Sequence, residues 1–132
     1  MVLVAFGIIA GAYVCSILVT DKDIQEMKEL KLVLKRKWYD MIASGEKTEE
    51  YRELTEYWEK RLWEYADWSD YASCARGFDI VTFYLGYTKN RPSMSFYWLG
   101  TDIGQGKVEW GAEPGKEYFV IKLGKRYERA TP

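Results

Sequence analysis

The clearest pattern in the chain is an alternation of apolar and polar residues that begins at Leu30. Leu30, Leu32 and Leu34 alternate with Lys31 and Val33. Successive side chains of a strand point to opposite faces, so this spacing predicts a strand with one buried face. We expect the folded domain to begin with this strand.

Further runs of β-branched and aromatic residues, bounded by turn-forming residues, are typical of strands. They lie at Thr48–Glu53, Asp79–Leu85, Ser93–Trp98 and Tyr118–Leu123. The turn-like Gly86–Pro92 predicts that the second and third of these runs form a hairpin.

Helical spacing predicts short helices between the strands. Lys37–Ser44 has apolar residues on one side and is followed by Gly45, a common helix terminator. Thr55 is a good N-cap for a helix that continues to about Ala66. Residues 67–77 are interpreted as a continuation of that helix or as a second short one.

The order of these elements predicts an α+β fold. Pro114-Gly115 suits a type II turn before the last strand, and Lys125–Pro132 is interpreted as a frayed tail. Five to six short, mostly antiparallel strands with two or three short helices favour a small β-barrel, because closure leaves few strand edges unpaired.

The first twenty residues contain no charged side chain and are about as long as a membrane-spanning helix. However, no Lys or Arg precedes the run, and Asp21, Lys22 and Asp23 follow it, so the usual cationic flank is missing. Residues 1–26 therefore have three interpretations. They are a membrane anchor, an extra helix packed against the domain, or a segment that is not translated because translation begins at Met27. The domain covers residues 27–132, and we expect a cytoplasmic protein unless residues 1–20 anchor it.

Composition excludes several classes of function. The 132 residues suffice for one domain, and the net charge of -1 provides no global attraction to nucleic acid or anionic lipid. Without histidine, neither a Ser-His-Asp triad nor imidazole acid–base catalysis is available. Cys15 and Cys74 lack metal-binding spacing, so we expect no metal site and no cofactor.

The densest cluster of chemically useful residues lies between Gly45 and Arg52. Strand alternation directs Thr48, Glu50 and Arg52 to one side. Arg52 is suited to bidentate binding of phosphate or carboxylate, and Lys47 can reach the same ligand as a point charge. Physical chemistry alone favours a simpler interpretation, an ion-pair network of Glu50 and Arg52 on a solvated face.

This cluster resembles the ASCH family, a branch of the PUA-like barrels. The family motif G-x-K-T-x-x-x-R is matched by Gly45, Lys47, Thr48 and Arg52. The resemblance extends over nearly all of Leu30–Gly124. Its further parts are Tyr57-Trp58-x-Lys60-Arg61-Leu62, Gly86-Tyr87 before Pro92, and Ile103-Gly104-x-Gly106-Lys107-x-x-Trp110-Gly111-Ala112-x-Pro114-Gly115.

The resemblance implies a small PUA-like barrel with a cleft beside the G-x-K turn that takes RNA or a nucleotide. Lys47, Thr48 and Arg52 are then cleft residues, with Glu50 beside them. Some small ASCH proteins are amidohydrolases of acetylcytidine, with a lysine at the position of Lys47 and a threonine three residues later. This chain departs from them there, because it has Glu50 at that position.

Binding of single-stranded RNA or a nucleotide-like small molecule is the leading hypothesis. Lys47 and Arg52 would hold phosphate while an aromatic ring stacks on a base. The candidate rings belong to Tyr51, Tyr87 and Trp110. Residues 40–70 contain ten acidic and four basic side chains, a balance that would repel a long duplex.

Two alternative functions remain open. A small amidohydrolase would use Lys47 as the base once its pKa is lowered, with Glu50 orienting water or the leaving group. A protein-interaction module would instead show a large exposed apolar patch.

Overall fold

The apolar N-terminal segment forms strands in the part of it that the structure describes. The computed structural model describes residues 4–9, 12–17, 27–66 and 69–128. Strand β1 (Val4–Ile9) pairs antiparallel with β2 (Ala12–Ile17). One interpretation of the sequence expected a helix here, but the many β-branched and aromatic residues favour extended backbone.

The other interpretations of residues 1–26, a membrane anchor and a mis-assigned start, stay predictions. They depend in part on residues 18–26, which lie outside the described ranges. Within the described ranges, no helix is both long enough and apolar enough to cross a membrane.

A curled mixed sheet forms the centre of the molecule. The strands that follow β2 along the chain are β3 (Glu29–Leu34), β4 (Glu49–Glu53), β5 (Trp63–Ala66), β6 (Ser69–Ala75), β7 (Ile80–Leu85), β8 (Ser93–Gln105) and β9 (Glu117–Tyr127). Five of them form the sheet in the order β3-β7-β8-β9-β4. β3 and β7 are parallel, and the remaining neighbours are antiparallel.

The sheet curls into a half-barrel, in which β3 and β4 are the edge strands. The predicted α+β class and barrel-like architecture are therefore confirmed at this coarser level. One face carries the main core, built from all three leucines of β3 and from apolar residues of β7, β8 and β9. Its largest fully buried side chains include Phe83, Leu32 and Ile42.

Two helices of the described ranges lie where the sequence predicted them. Helix α1 (Arg36–Ala43) ends before Gly45, whose φ of +84° suits a residue without a Cβ. Helix α2 (Glu56–Leu62) begins at Thr55, whose hydroxyl accepts a hydrogen bond from the backbone of Trp58 at 3.4 Å. The predicted extension of α2 to Ala66 is wrong, because α2 ends at Leu62.

The helix predicted for residues 67–77 is also wrong. Strands β5 and β6 form an antiparallel hairpin in this region, although residues 67 and 68 lie outside the described ranges. Contacts between residues far apart in the sequence explain the difference: Arg76, just after β6, donates to the Glu64 carboxylate at 2.9 Å, and Trp63 packs against Phe119 of β9 with ring centroids 5.9 Å apart. These non-local contacts stabilise extended backbone, and helical spacing does not reveal them.

The last two strands are longer than predicted. β8 continues beyond Trp98, and its register shifts between Trp98 and Gly100, where Gly100 has a φ of +140°. A glycine permits that backbone conformation, and such irregularities let a long strand bend around a core. β9 extends to Tyr127, so the prediction that the chain is frayed from Lys125 onward is wrong for Lys125–Tyr127. Residues 129–132 lie outside the described ranges.

The core should depend strongly on the junction between α2 and β5. Leu62 is 0% exposed, whereas Leu99 on β8 is 67% exposed. We expect Leu62→Ala to lower the free energy of unfolding by about 2–5 kcal/mol, because it leaves a cavity. The matched Leu99→Ala should change it by less than about 0.5 kcal/mol. Urea denaturation followed by circular dichroism measures both, and equal effects would contradict this description of the core.

Candidate nucleotide-binding cleft

A cleft of about 540 Å³ opens at one end of the half-barrel. It lies where the parallel strands β3 and β7 end and where β4, the opposite edge strand, comes close. Ligands in sheets with parallel strands commonly bind at such carboxyl ends. The lining residues are Val33, Leu34, Lys35, Arg36, Trp38, Glu50, Arg52, Leu85, Gly86 and Tyr87.

Arg52 connects the two edge strands across this cleft. Its Nη2 donates a hydrogen bond to the carbonyl oxygen of Val33 at 3.1 Å, from β4 to β3. The guanidinium carbon also lies 4.9 Å from the ring centroid of Trp58. The Nε atom is buried and has no hydrogen-bond partner among the described residues. Arg52 therefore lines the cleft and has one buried donor without a partner.

Burial affects the charge of Arg52 without removing it. Desolvation lowers the pKa of Arg52, while the negative charge of Glu50 opposes that shift. Arginine nevertheless stays protonated in proteins because its guanidinium charge is delocalised. A permanent cation therefore lines the cleft.

Lys47 and Glu50 form a buried ion pair beside Arg52. Lys47 is 2% exposed and Glu50 is 6% exposed. Lys47 Nζ donates to Glu50 Oε2 at 3.2 Å, and Glu50 Oε1 accepts from the backbone N–H of Tyr51 at 3.1 Å. Lys47 Nζ also lies 4.7 Å from the ring centroid of Trp38. Both charges thus have partners although they are removed from water.

This geometry corrects the interpretation of the cluster as a solvated ion-pair network. Glu50 is buried, and its ion-pair partner is Lys47 rather than Arg52. Desolvation lowers the pKa of Lys47, and the Coulombic attraction and hydrogen bond of Glu50 oppose that change. An alternating strand pattern shows which side chains share a face, but it does not show which face is covered.

The structure brings only some of the predicted site residues to the cleft. Glu50, Arg52 and Tyr87 line it, and Lys47 lies directly behind Glu50. Tyr87 is 86% exposed, so its ring is accessible to a ligand. Thr48 is exposed and does not line the cleft; its carbonyl accepts a hydrogen bond from Leu123, which ties β4 to β9.

Tyr51 and Trp110 lie in a second apolar cluster instead of lining the cleft. The Tyr51 hydroxyl donates to Glu49 at 2.9 Å and accepts from the backbone N–H of Lys107 at 3.0 Å. Burial raises the pKa of Tyr51 to about 12. Both rings are therefore largely covered by the protein, each with 9% of its residue surface exposed.

Sequence reasoning missed Trp38, Lys35 and Arg36 as cleft residues. Trp38 belongs to the helix predicted at Lys37–Ser44, and Lys35 and Arg36 precede that helix, so no local pattern linked the three residues to a cleft. All three follow directly after β3, at the end shared with the parallel strand β7. Their location at the end of β3 indicates a cleft only once β3 is known to pair in parallel with β7.

The lining is suited to a small anion that carries a flat ring. Lys35, Arg36 and Arg52 contribute positive charge, whereas Glu50 is the acidic residue of the lining and already has Lys47 as a partner. The volume lies within the range of roughly 300–1,000 Å³ that is usual for small-molecule sites. No group of three metal-ligating side chains occurs among the described residues.

Coupling between Lys47 and Glu50 is testable by a double-mutant cycle. Glu50→Gln or Lys47→Met alone should lower the free energy of unfolding by about 3–5 kcal/mol, because each leaves a buried charge without its counter-ion. The double variant should lose clearly less than the sum of the two losses. Urea denaturation provides all four values.

The exposed pair Lys60–Glu56, with side chains 73% and 81% exposed, provides the matched control. Its coupling energy in the same cycle should be only about 0.3–0.5 kcal/mol. Additive losses at Lys47 and Glu50 would contradict the buried pair.

Comparison of the chain with protein-family models, curated proteins and solved structures finds no match. The ASCH resemblance therefore stays a prediction that depends on its motifs.

Proposed function

We propose that the protein binds a phosphate-bearing nucleotide or the end of a single-stranded RNA in the cleft between β3 and β4. The proposal includes a PUA-like fold and an ASCH relationship, which the sequence motifs indicate, and a cytoplasmic location unless residues 1–20 anchor the protein. The observation that carries it is that Arg52, whose buried Nε has no partner, lines a cleft together with basic and aromatic side chains.

Arg52 is the proposed phosphate ligand. A buried donor without a partner costs about 1–3 kcal/mol, and an anion at Nε would remove that cost. Charge-assisted hydrogen bonds from guanidinium to phosphate are also stronger than neutral ones. Lys35 and Arg36, which line the same cleft and are exposed, add attraction that salt screens.

Tyr87 is the proposed stacking residue. Its side chain is 86% exposed at the rim, so a base can cover it without displacing other parts of the protein. Base–aromatic stacking contributes about 1–3 kcal/mol and tolerates any base. Trp38 forms another wall of the cleft, and its ring already contacts Lys47. A cleft of about 540 Å³ accommodates one nucleotide rather than a duplex.

An amidohydrolase acting on a modified nucleoside is the second candidate. Its support is the buried amine of Lys47, with a lowered pKa and a carboxylate at 3.2 Å that reaches the cleft. A lysine with a lowered pKa is a better base at neutral pH. Glu50 would orient water in that reaction.

Isothermal titration of the full chain with AMP, a short single-stranded RNA and acetylcytidine distinguishes these functions. We expect saturable binding of AMP and RNA that weakens at high salt, because phosphate contacts release counterions. Arg52→Lys should weaken AMP binding about tenfold, because lysine keeps the charge but lacks the planar donor fork. Chromatography of the same samples detects deacetylated product, which would establish the enzymatic alternative.

Lys122→Gln is the matched control, because Lys122 pairs with Asp102 and does not line the cleft. This variant removes one positive charge and should bind AMP like the wild type. AMP binding that is equally strong in the wild type and in Arg52→Lys would contradict the proposed phosphate site. Absence of both binding and product would contradict both functions.

A further inference from the structure

We infer that the cleft selects bases with an exocyclic amine over bases with a carbonyl at the same position, and that Glu50 makes this selection. This inference rests on the proposed nucleotide-binding function and adds a specificity-determining residue to it. It arises from an acidic side chain within a cleft that is otherwise basic.

Glu50 retains acceptor capacity after its internal contacts are counted. A carboxylate has about four lone-pair sites, two on each oxygen. Lys47 Nζ occupies one site on Oε2, and the backbone N–H of Tyr51 occupies one on Oε1. Because Glu50 also lines the cleft, the remaining lone pairs are available to N–H donors of a ligand.

The internal contacts also keep Glu50 in place. Lys47 holds one oxygen at 3.2 Å, and the adjacent backbone holds the other at 3.1 Å. Each oxygen accepts one hydrogen bond from the protein, so Glu50 presents its remaining lone pairs as acceptors. A base amine can donate to such a carboxylate, whereas a base carbonyl directs a second acceptor at it and is repelled.

The spacing along β4 allows one nucleotide to contact both Arg52 and Glu50. These residues are two positions apart and therefore lie on the same face, roughly 6–7 Å apart along the strand. The phosphate at Arg52 and the base edge at Glu50 are then separated by the sugar. Glu50 thus reads the base of the ligand whose phosphate Arg52 holds.

Matched nucleotide pairs test this inference with the full, unmodified chain. CMP and UMP differ in whether the pyrimidine carries an amine or a carbonyl at C4, and AMP and IMP differ in the same way at C6 of the purine. In UMP and IMP the ring nitrogen beside the carbonyl also becomes an N–H donor, so a ligand that turned this donor toward Glu50 would reduce the preference. Isothermal titration should show about tenfold tighter binding of CMP than of UMP and of AMP than of IMP, the usual discrimination of a good base contact.

Glu50→Gln tests the residue itself. The glutamine amide both donates and accepts, so the preference within each pair should fall to less than about twofold. Glu50→Gln leaves the charge of Lys47 unpaired. The double variant Lys47→Met/Glu50→Gln, in which both side chains are uncharged, is therefore measured in parallel, and circular dichroism verifies that both variants fold. Glu53→Gln, on the same strand but outside the cleft, should retain the wild-type preference.

The outcomes separate this inference from the proposed function. Equal affinities within both pairs, together with binding that Arg52→Lys weakens, would overturn the role of Glu50 and leave the phosphate site intact. A preference that persists in folded Glu50 variants would also overturn it. Absence of binding by all four nucleotides would overturn both proposals.

Discussion

The site depends on three charged side chains on or beside a single edge strand. Lys47, Glu50 and Arg52 all belong to β4 or to the turn before it; Lys47 and Glu50 are buried, and Arg52 is partly buried. Lys47 and Glu50 compensate each other through a direct ion pair. The positive charge of Arg52 is left in excess, and a partly buried charge of this kind is stabilised when a partner is provided. That excess is the physical basis for proposing an anionic ligand.

Incomplete closure of the sheet creates the space in which this ligand would lie. A closed barrel would pair β3 with β4 through backbone hydrogen bonds and leave no cleft between them. Here the two edge strands are joined by a side chain, because Arg52 donates to the carbonyl oxygen of Val33. The parallel pairing of β3 with β7 places Leu34 and Leu85 side by side at the same edge of the sheet. The chain following each strand then provides the basic and aromatic lining.

Local patterns predicted much of the fold. The alternation of Leu30, Leu32 and Leu34 identified β3 and its buried face, and Thr55 identified the start of α2. The hairpin of β5 and β6 was missed because Tyr65 lies at helical spacing from Trp58 and Leu62, whereas its strand is set by pairing with β6. Parallel pairing of β3 with β7 joins residues about fifty positions apart, as in the pair Glu29 and Ile80, and no local pattern encodes it.

The candidate site was predicted less completely than the fold for a related reason. The G-x-K-T turn and its strand directed attention to Glu50 and Arg52, which do line the cleft. Burial of Lys47 depends on the ring of Trp38 in another element, so the sequence around Lys47 did not indicate it. Trp110 was singled out because it lies beside a glycine-rich turn, but contacts with distant residues bury it in the second apolar cluster. Tertiary contacts decide which aromatic rings are accessible to a ligand. These contacts cannot be inferred from local patterns in a single sequence.

The most direct test of the central claim is the Nε–H resonance of Arg52, followed by ¹⁵N-edited nuclear magnetic resonance during titration with AMP and, separately, with adenosine. The proposed phosphate contact predicts a saturable shift of this resonance with AMP and a much smaller one with adenosine, because only AMP presents the anion. An Nε–H resonance that AMP leaves unchanged at saturating concentration would contradict the assignment of Arg52 as the phosphate ligand.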